Sequence, residues 1–202
     1  MNYPNFFNNI PTIELYDPLS EFLASFEDGE YETSYLELVK ASGHSCPTVA
    51  GAYLITYHAL KALYPNQRAV RGDILVSFKE DMQEGTTGLV SNLISIITGA
   101  TQASGFKGLN GNFVRHSLMS FNEDIPNIRF TRKETGKSVD VIYDHSSISI
   151  DPRQKELMQL IFSGKASNEE KKEFGKLWQE RVKKILVDNF DNETVIQVKE
   201  AT

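Results

Sequence analysis

An α+β domain, with an antiparallel sheet packed against one long central helix and additional C-terminal helices, is the fold class this sequence predicts. Three observations predict it. Val49, Leu54, Ala59, Leu60 and Leu63 keep an apolar stripe on one side of a helix running from about Pro47 to Tyr64. Ile74, Val76 and Phe78 alternate with polar neighbours, and Ile128 to Thr131 and Ser138 to Tyr143 flank the turn Lys133-Glu134-Thr135-Gly136, the pattern of a strand and a hairpin. Helical and extended segments are grouped rather than strictly alternating, which separates this class from a parallel α/β sheet. With no internal repeat and no low-complexity linker, one domain over residues 1–202 is the simplest count.

In chain order, residues 1–18 are rich in Asn, Pro and aromatic side chains without a period and read as an irregular arm. Leu19 to Phe26 is a short amphipathic helix ended by Asp28-Gly29, and Tyr35 to Ala41 is another, broken by Ser42-Gly43. The central helix follows, Tyr64-Pro65-Asn66 turns the chain, and the stretch from Ala69 to Glu80 carries a strand. Glu84 to Gly88 lead into an apolar helix from Leu89 to Ile97, closed by Thr98-Gly99. Asn112 to Phe121 reads as a strand before the hairpin. Residues 151–190 form a helical extension: Asp151-Pro152 opens one helix through Leu157, Leu160 and Ile161, ended by Gly164. Ser167-Asn168-Glu169-Glu170 has the spacing of a capping box for the last helix, through Trp178 to Leu186. The tail after Asn189 reads either as frayed or as an edge strand through Val195-Ile196.

Charge and cysteine count set limits. The 202 residues carry 21 basic and 27 acidic side chains, a formal net charge of −6, which argues against a nucleic-acid binder. One cysteine excludes an intrachain disulfide and any cysteine-rich zinc finger. No leader is visible at Met1 to Ile10 and no apolar run has membrane-spanning length, so a cytoplasmic location and no membrane contact are the default expectations.

That single cysteine lies in Gly43-His44-Ser45-Cys46-Pro47-Thr48, at the mouth of the central helix. Pro47 suits the first helical position, because its missing N–H would have had no intrahelical partner there. Cys46 then falls at the N-cap or beside it, where orphan N–H groups and the positive end of the helix dipole favour a thiolate. His44 and Cys46 are therefore the candidate catalytic residues and the candidate metal ligands. Two ligands are half of a zinc site. The bland alternative is a small buried hydrophobe.

A second candidate is the loop from Ala100 to Gly111, with glycines at 105, 108 and 111. Gly105 and Gly108 would let backbone approach a ligand, and Lys107 would supply charge for an anion. The loop lacks the Gly-Lys-Ser/Thr ending of a phosphate-binding P-loop, and a plain connection is the competing reading.

The order Gly43-His44-Ser45-Cys46-Pro47, then Thr98-Gly99-Ala100-Thr101 with its glycine-rich loop, then Ser163 to Glu170 and the helix after it, resembles the FmdE family of formylmethanofuran dehydrogenase proteins. The likeness runs from about Pro11 to Leu186. It implies an α+β core, a homodimer, and a cleft in which the motif's His and Cys bind metal. Many such proteins add a C-terminal treble-clef zinc finger, which a chain with one cysteine cannot form. Typical members read His-Gly-His-x-Cys-Pro-Gly, where this chain has Ser42 and Thr48 at the first and last positions. They often read Thr-Gly-Cys-Thr where it has Ala100. The formyl-transferring chemistry belongs to molybdenum or tungsten proteins of that enzyme, which this chain does not resemble.

The expectation is thus a divalent transition metal, zinc, on His44 and Cys46, with His116 and Asp17 as candidates for the missing ligands. Two alternatives stand beside it. One is a thiol enzyme with Cys46 as nucleophile and His44 as base. The other is a non-catalytic subunit or adaptor of a redox or one-carbon pathway, holding a protein partner or small-molecule ligand.

Overall fold

The computed structural model describes residues 2–201; Met1, at the head of the anticipated arm, and Thr202 lie outside the described residues. The α+β class holds, but its sheets are mixed. Strand β1 (Ile13–Tyr16) leads into helix α1 (Pro18–Phe22), β2 (Glu30–Thr33) and α2 (Tyr35–Ser42). Helix α3 (Pro47–Leu63) follows, then β3 (Ala69–Val70) and β4 (Ile74–Phe78), α4 (Thr87–Thr98) and β5 (Met119–Ser120). The hairpin β6 (Ile128–Arg132) and β7 (Ser138–Tyr143), helices α5 (Pro152–Phe162) and α6 (Asn168–Lys183), and β8 (Ile196–Glu200) complete the chain.

One sheet has the order β2-β1-β3 and the other β5-β4-β6-β7-β8. In the larger sheet only β5 runs parallel to its neighbour, β4. Between those two strands lie α4 and the glycine-rich loop, a crossover long enough to return the chain in the same direction. The expected antiparallel pairing holds for β4, β6, β7 and β8, and this crossover accounts for the one parallel pair. In the smaller sheet β1 is antiparallel to β2 and parallel to β3.

The anticipated arm is therefore ordered: Ile13 and Leu15 point into the core from β1, after a 3₁₀ turn over Asn5–Asn9. The strand expected within residues 69–80 forms at Ile74–Phe78, and Gly72 before it, with φ of +86°, turns the chain from one sheet to the other. Arg115 Nη1 occupies the space a Cβ at Gly72 would need. The strand expected over residues 112–121 shrinks to Met119–Ser120. Phe113 and Ser117 both have φ near +60°, and residues 115–118 bond the glycine-rich loop instead: Arg115 N–H to the Phe106 carbonyl, Thr101 N–H to the Arg115 carbonyl, and Leu118 N–H to the Thr101 carbonyl, each at 2.9 Å.

Twelve of the seventeen residues of α3 are buried, so the helix is core nearly all round and packs between α4 and β7. The capping box of α6 forms as expected: Glu170 N–H donates to Ser167 Oγ at 3.1 Å, and Ser167 N–H donates to Glu170 Oε2 at 2.8 Å. The tail adds β8 as the edge strand beside β7.

Near its C-terminal end α3 carries His58, whose Nε2–H donates to the Phe190 carbonyl at 2.9 Å. Burial holds this imidazole below its ordinary value of 6.5, partly offset by that carbonyl and by Asp191. The unfolded chain therefore takes up the proton at a higher pH than the folded chain does. Stability is full above about pH 6.5 and falls as pH drops from there toward the folded value. We expect the urea midpoint to decline between about pH 7 and 5.5, and the decline to be shallower in His58→Gln. An equal slope in both chains would show that His58 is not its source.

Candidate functional site

The connection between α2 and α3 is only four residues, Gly43 to Cys46, because α2 ends on a left-handed glycine. Gly43 has φ +76°, and its N–H closes on the Val39 carbonyl at 2.9 Å. Cys46 is the N-cap of α3, as anticipated, with extended backbone at φ −150° and ψ 170°. Its Sγ accepts from the Val49 N–H at 3.5 Å, so the sulfur occupies a place usually taken by a serine or aspartate oxygen. Cys46 is half-buried and packs against the edge of the core.

His44 is exposed, and its Nδ1 lies 3.0 Å from the Ser42 carbonyl. A carbonyl can only accept, so Nδ1 carries the proton and the neutral ring keeps its lone pair on Nε2. No hydrogen bond among the described residues joins this ring to Cys46. Ser42 Oγ in turn donates to the His44 carbonyl at 2.8 Å.

Ser45, between the two, ties the motif to the far end of the chain. Its carbonyl accepts from Trp178 Nε1 at 3.0 Å and from Gln179 Nε2 at 3.2 Å. Its hydroxyl donates to Gln179 Oε1 at 3.0 Å and accepts from the Tyr35 hydroxyl at 2.9 Å. Gln179 thus grips Ser45 by both amide atoms, and α2, α3 and α6 meet at one residue.

Tyr143, at the end of β7, closes another side. Its hydroxyl donates to the Pro47 carbonyl at 2.9 Å, and its ring lies against α3 where Gly51 leaves room. A Cβ at Gly51 would sit 2.6 Å from Tyr143 Cδ1. His145 stacks on that ring, with centroids 5.3 Å apart and planes 8° from parallel. Burial pushes the Tyr35 and Tyr143 phenols up, so both stay protonated donors. Burial and the Arg181 charge hold His145 down, which keeps its ring neutral.

None of Tyr35, Tyr143, His145, Trp178, Gln179 and Arg181 is signalled as a site residue by the sequence. Ser45 and Gln179 are 134 positions apart, and only the packing of α6 brings them together. The one local hint is Gly51, a glycine inside a helix.

The structure assembles less than a metal site. Among the described residues no group of three or more His, Cys, Asp or Glu side chains is placed to hold an ion. Asp17, one candidate for completing the set, is otherwise engaged. It caps α1 through the Leu19 N–H at 2.9 Å and pairs with Arg115 Nη2 at 2.6 Å and Arg71 Nη1 at 3.0 Å. His116, the other, bonds its neighbour Ser117 at 3.0 Å.

The glycine-rich loop also has an internal explanation. Gly105 has φ +119° and leaves no space beside the Thr101 side chain, while Gly108 has φ +90° and abuts the Asn112 carbonyl. Leu109 and Asn112 close the loop with two backbone bonds of 2.9 Å. A groove of about 360 Å³ beside the loop is lined by Ser91, Ser95, Gln102 and Ser104 among others, but not by Gly105, Lys107 or Gly108. Lys107 is exposed and makes no ion pair among the described residues.

No curated protein matches this chain. A family model does: the one described as FmdE, molybdenum formylmethanofuran dehydrogenase operon, over residues 41–193. The match begins just before His44 and Cys46 and ends after α6, so it takes in the motif, Gly51, Tyr143, His145 and the helix that clamps Ser45. It covers about three quarters of the sequence and joins the two ends of the site just described, and on that ground the chain belongs to the FmdE family.

Proposed function

We propose that this FmdE-type protein binds a divalent transition metal ion, zinc, through His44 Nε2 and Cys46 Sγ. The observation that carries the proposal is the pairing of an imidazole held in the Nδ1–H tautomer with a half-buried sulfur at a helix N-cap. Soft sulfur with imidazole suits zinc, and the donor set fits the ion in type. It is short in number. The remaining coordination positions are filled from outside this chain, by water, a bound ligand or a second copy. When bound, the ion would supply Lewis acidity beside Cys46. The protein's own part is to fix the two donors, His44 through Ser42 and Cys46 through the Ser45 clamp.

A homodimer in the cytoplasm belongs to the same proposal. Phe22 and Phe162 are 66% and 83% exposed, apolar area that a second copy would cover. No helix among the described residues is long and apolar enough to cross a membrane.

Elemental analysis and light scattering on one tag-free preparation test both parts. We expect about one zinc per chain, largely lost in Cys46→Ala and in His44→Ala, and a mass twice that of a single chain. Metal content far below one per chain, unchanged by Cys46→Ala, would sink the metal reading. A monomer mass would sink the dimer.

A further inference from the structure

A cavity of about 280 Å³ lies at the corner where β3 passes into β4, walled on its other side by the chain that leaves the glycine-rich loop. Three cations line it, Arg71, Arg115 and Lys133, against one carboxylate, Asp73. Asp73 is already engaged: the Tyr64 hydroxyl donates to its Oδ2 at 3.1 Å, and Arg132 Nε stands 4.0 Å away. Behind this wall the single carboxylate of Asp17 is shared by both guanidinium groups, at 3.0 Å from Arg71 and 2.6 Å from Arg115. Lys133 has no carboxylate partner among the described residues, and its Nζ donates only to the Gly72 carbonyl, at 3.4 Å. The balance of charge around the cavity is positive.

The walls also carry unused donors. Arg115 is 7% exposed; its Nη1 and Nη2 are taken by the Arg71 carbonyl and by Asp17, but its buried Nε has no hydrogen-bond partner. Opposite, Gly111 and Phe113 have φ of +81° and +61°, while Asn112 and Val114 keep negative φ. Alternation of this kind turns N–H groups towards one concavity, a common seat for an anion. The N–H groups of Gly111, Phe113 and Val114 make no main-chain hydrogen bond among the described residues. An aromatic residue enters the left-handed region only under strain, and here the strain is spent on a residue of the cavity wall. The Phe113 ring packs on Phe22, with centroids 5.4 Å apart, and is the aromatic member of the lining. Donors arriving from a lysine, a guanidinium and a stretch of main chain outnumber what the two oxygens of a carboxylate accept; a phosphoryl group offers three.

We propose that this cavity binds a small phosphate monoester, its phosphoryl oxygens meeting Lys133, Arg115 and the free N–H groups of residues 111–114, and its organic part lying against Phe113. The site shares no residue with the Cys46 motif, so it stands or falls apart from the metal reading.

Calorimetric titration of the full-length protein at low ionic strength with phenyl phosphate, inorganic phosphate and benzoate tests it. We expect phenyl phosphate to bind once per chain, inorganic phosphate to bind about tenfold more weakly for want of the contact with Phe113, and benzoate to give no measurable heat. Lys133→Gln should weaken both phosphate probes about tenfold, with Lys133→Arg keeping most of the affinity. Lys133 is exposed, so both variants should fold as the parent does. Phe113→Gly, which accepts the positive φ without strain, should bring phenyl phosphate down to the affinity of inorganic phosphate and leave the latter within about twofold of its parent value. An unchanged affinity in Lys133→Gln would overturn the proposal. So would an absence of heat with phenyl phosphate, or benzoate or inorganic phosphate binding as tightly as phenyl phosphate, results that need no variant to fold.

Discussion

Asp17→Ala is expected to cost about 3–5 kcal/mol of stability, because it removes one member of a buried charge cluster. The Asp17 side chain is 6% exposed and sits between two guanidinium groups, Arg115 at 7% exposure and Arg71 at 26%. Removing it strands positive charge where water cannot replace the carboxylate. The loss would spread, because each arginine holds something else. Arg71 Nε and Nη2 donate to the Ile97 and Ile96 carbonyls at the end of α4, at 3.2 and 3.3 Å, while Arg115 Nη1 donates to the Arg71 carbonyl. One carboxylate thus fixes the start of α1, the corner at Gly72, the end of α4 and the loop after it. Urea unfolding would measure the cost. Asp17→Ala combined with Arg115→Met should recover part of it, since taking out both members of a buried pair is milder than taking out one. A loss under about 1 kcal/mol for Asp17→Ala would mean that water reaches the cluster and that its charges are effectively at the surface.

The same cluster shows where sequence reasoning stops. Asp17 before Pro18 announces a helix start, and Asp17 does cap α1. Nothing in the spacing of residues 17, 71 and 115 announces that they meet. Elements with a period of their own were legible: the apolar stripe of α3, the alternation in β4, the hairpin β6–β7 and the capping box of α6 all lie where their patterns put them. The misses have a common cause. Residues 1–18 and 112–121 take their conformation from distant partners, β1 from β2 and β3, and residues 115–118 from backbone groups of the glycine-rich loop. The candidate site divides in the same way. Cys46 at the N-cap follows from Cys-Pro before an apolar run, a local signal. The Ser45 clamp, Tyr143 and Arg181 depend on the docking of α6 and β7, which no local signal carries.

Gly51→Ala gives opposite signs under the two effects that could govern it, and the structure decides between them. In a helix interior, alanine in place of glycine is worth about 1 kcal/mol in favour of folding. At this position, however, the new methyl would press into the Tyr143 ring, within 2.6 Å of Cδ1 and 2.9 Å of Cζ. Overpacking of this kind costs about 1–3 kcal/mol. Tyr143 cannot swing away without giving up its bond to the Pro47 carbonyl, a further cost of about 1 kcal/mol. We therefore expect a net destabilisation of about 1–2 kcal/mol, together with a changed rate of Cys46 alkylation by iodoacetamide, because the ring that flanks the sulfur's helix turn has moved. The sign should reverse when the obstacle is removed. In a Tyr143→Ala background Gly51→Ala should be neutral or stabilising by up to about 1 kcal/mol, leaving only the helix propensity to act. If Gly51→Ala destabilises both backgrounds equally, the glycine serves something other than Tyr143. If it stabilises both, the ring has room to move and the close approach of β7 to α3 is softer than the contact implies. The expected reversal would make Gly51 the residue that lets β7 reach across the first turns of α3.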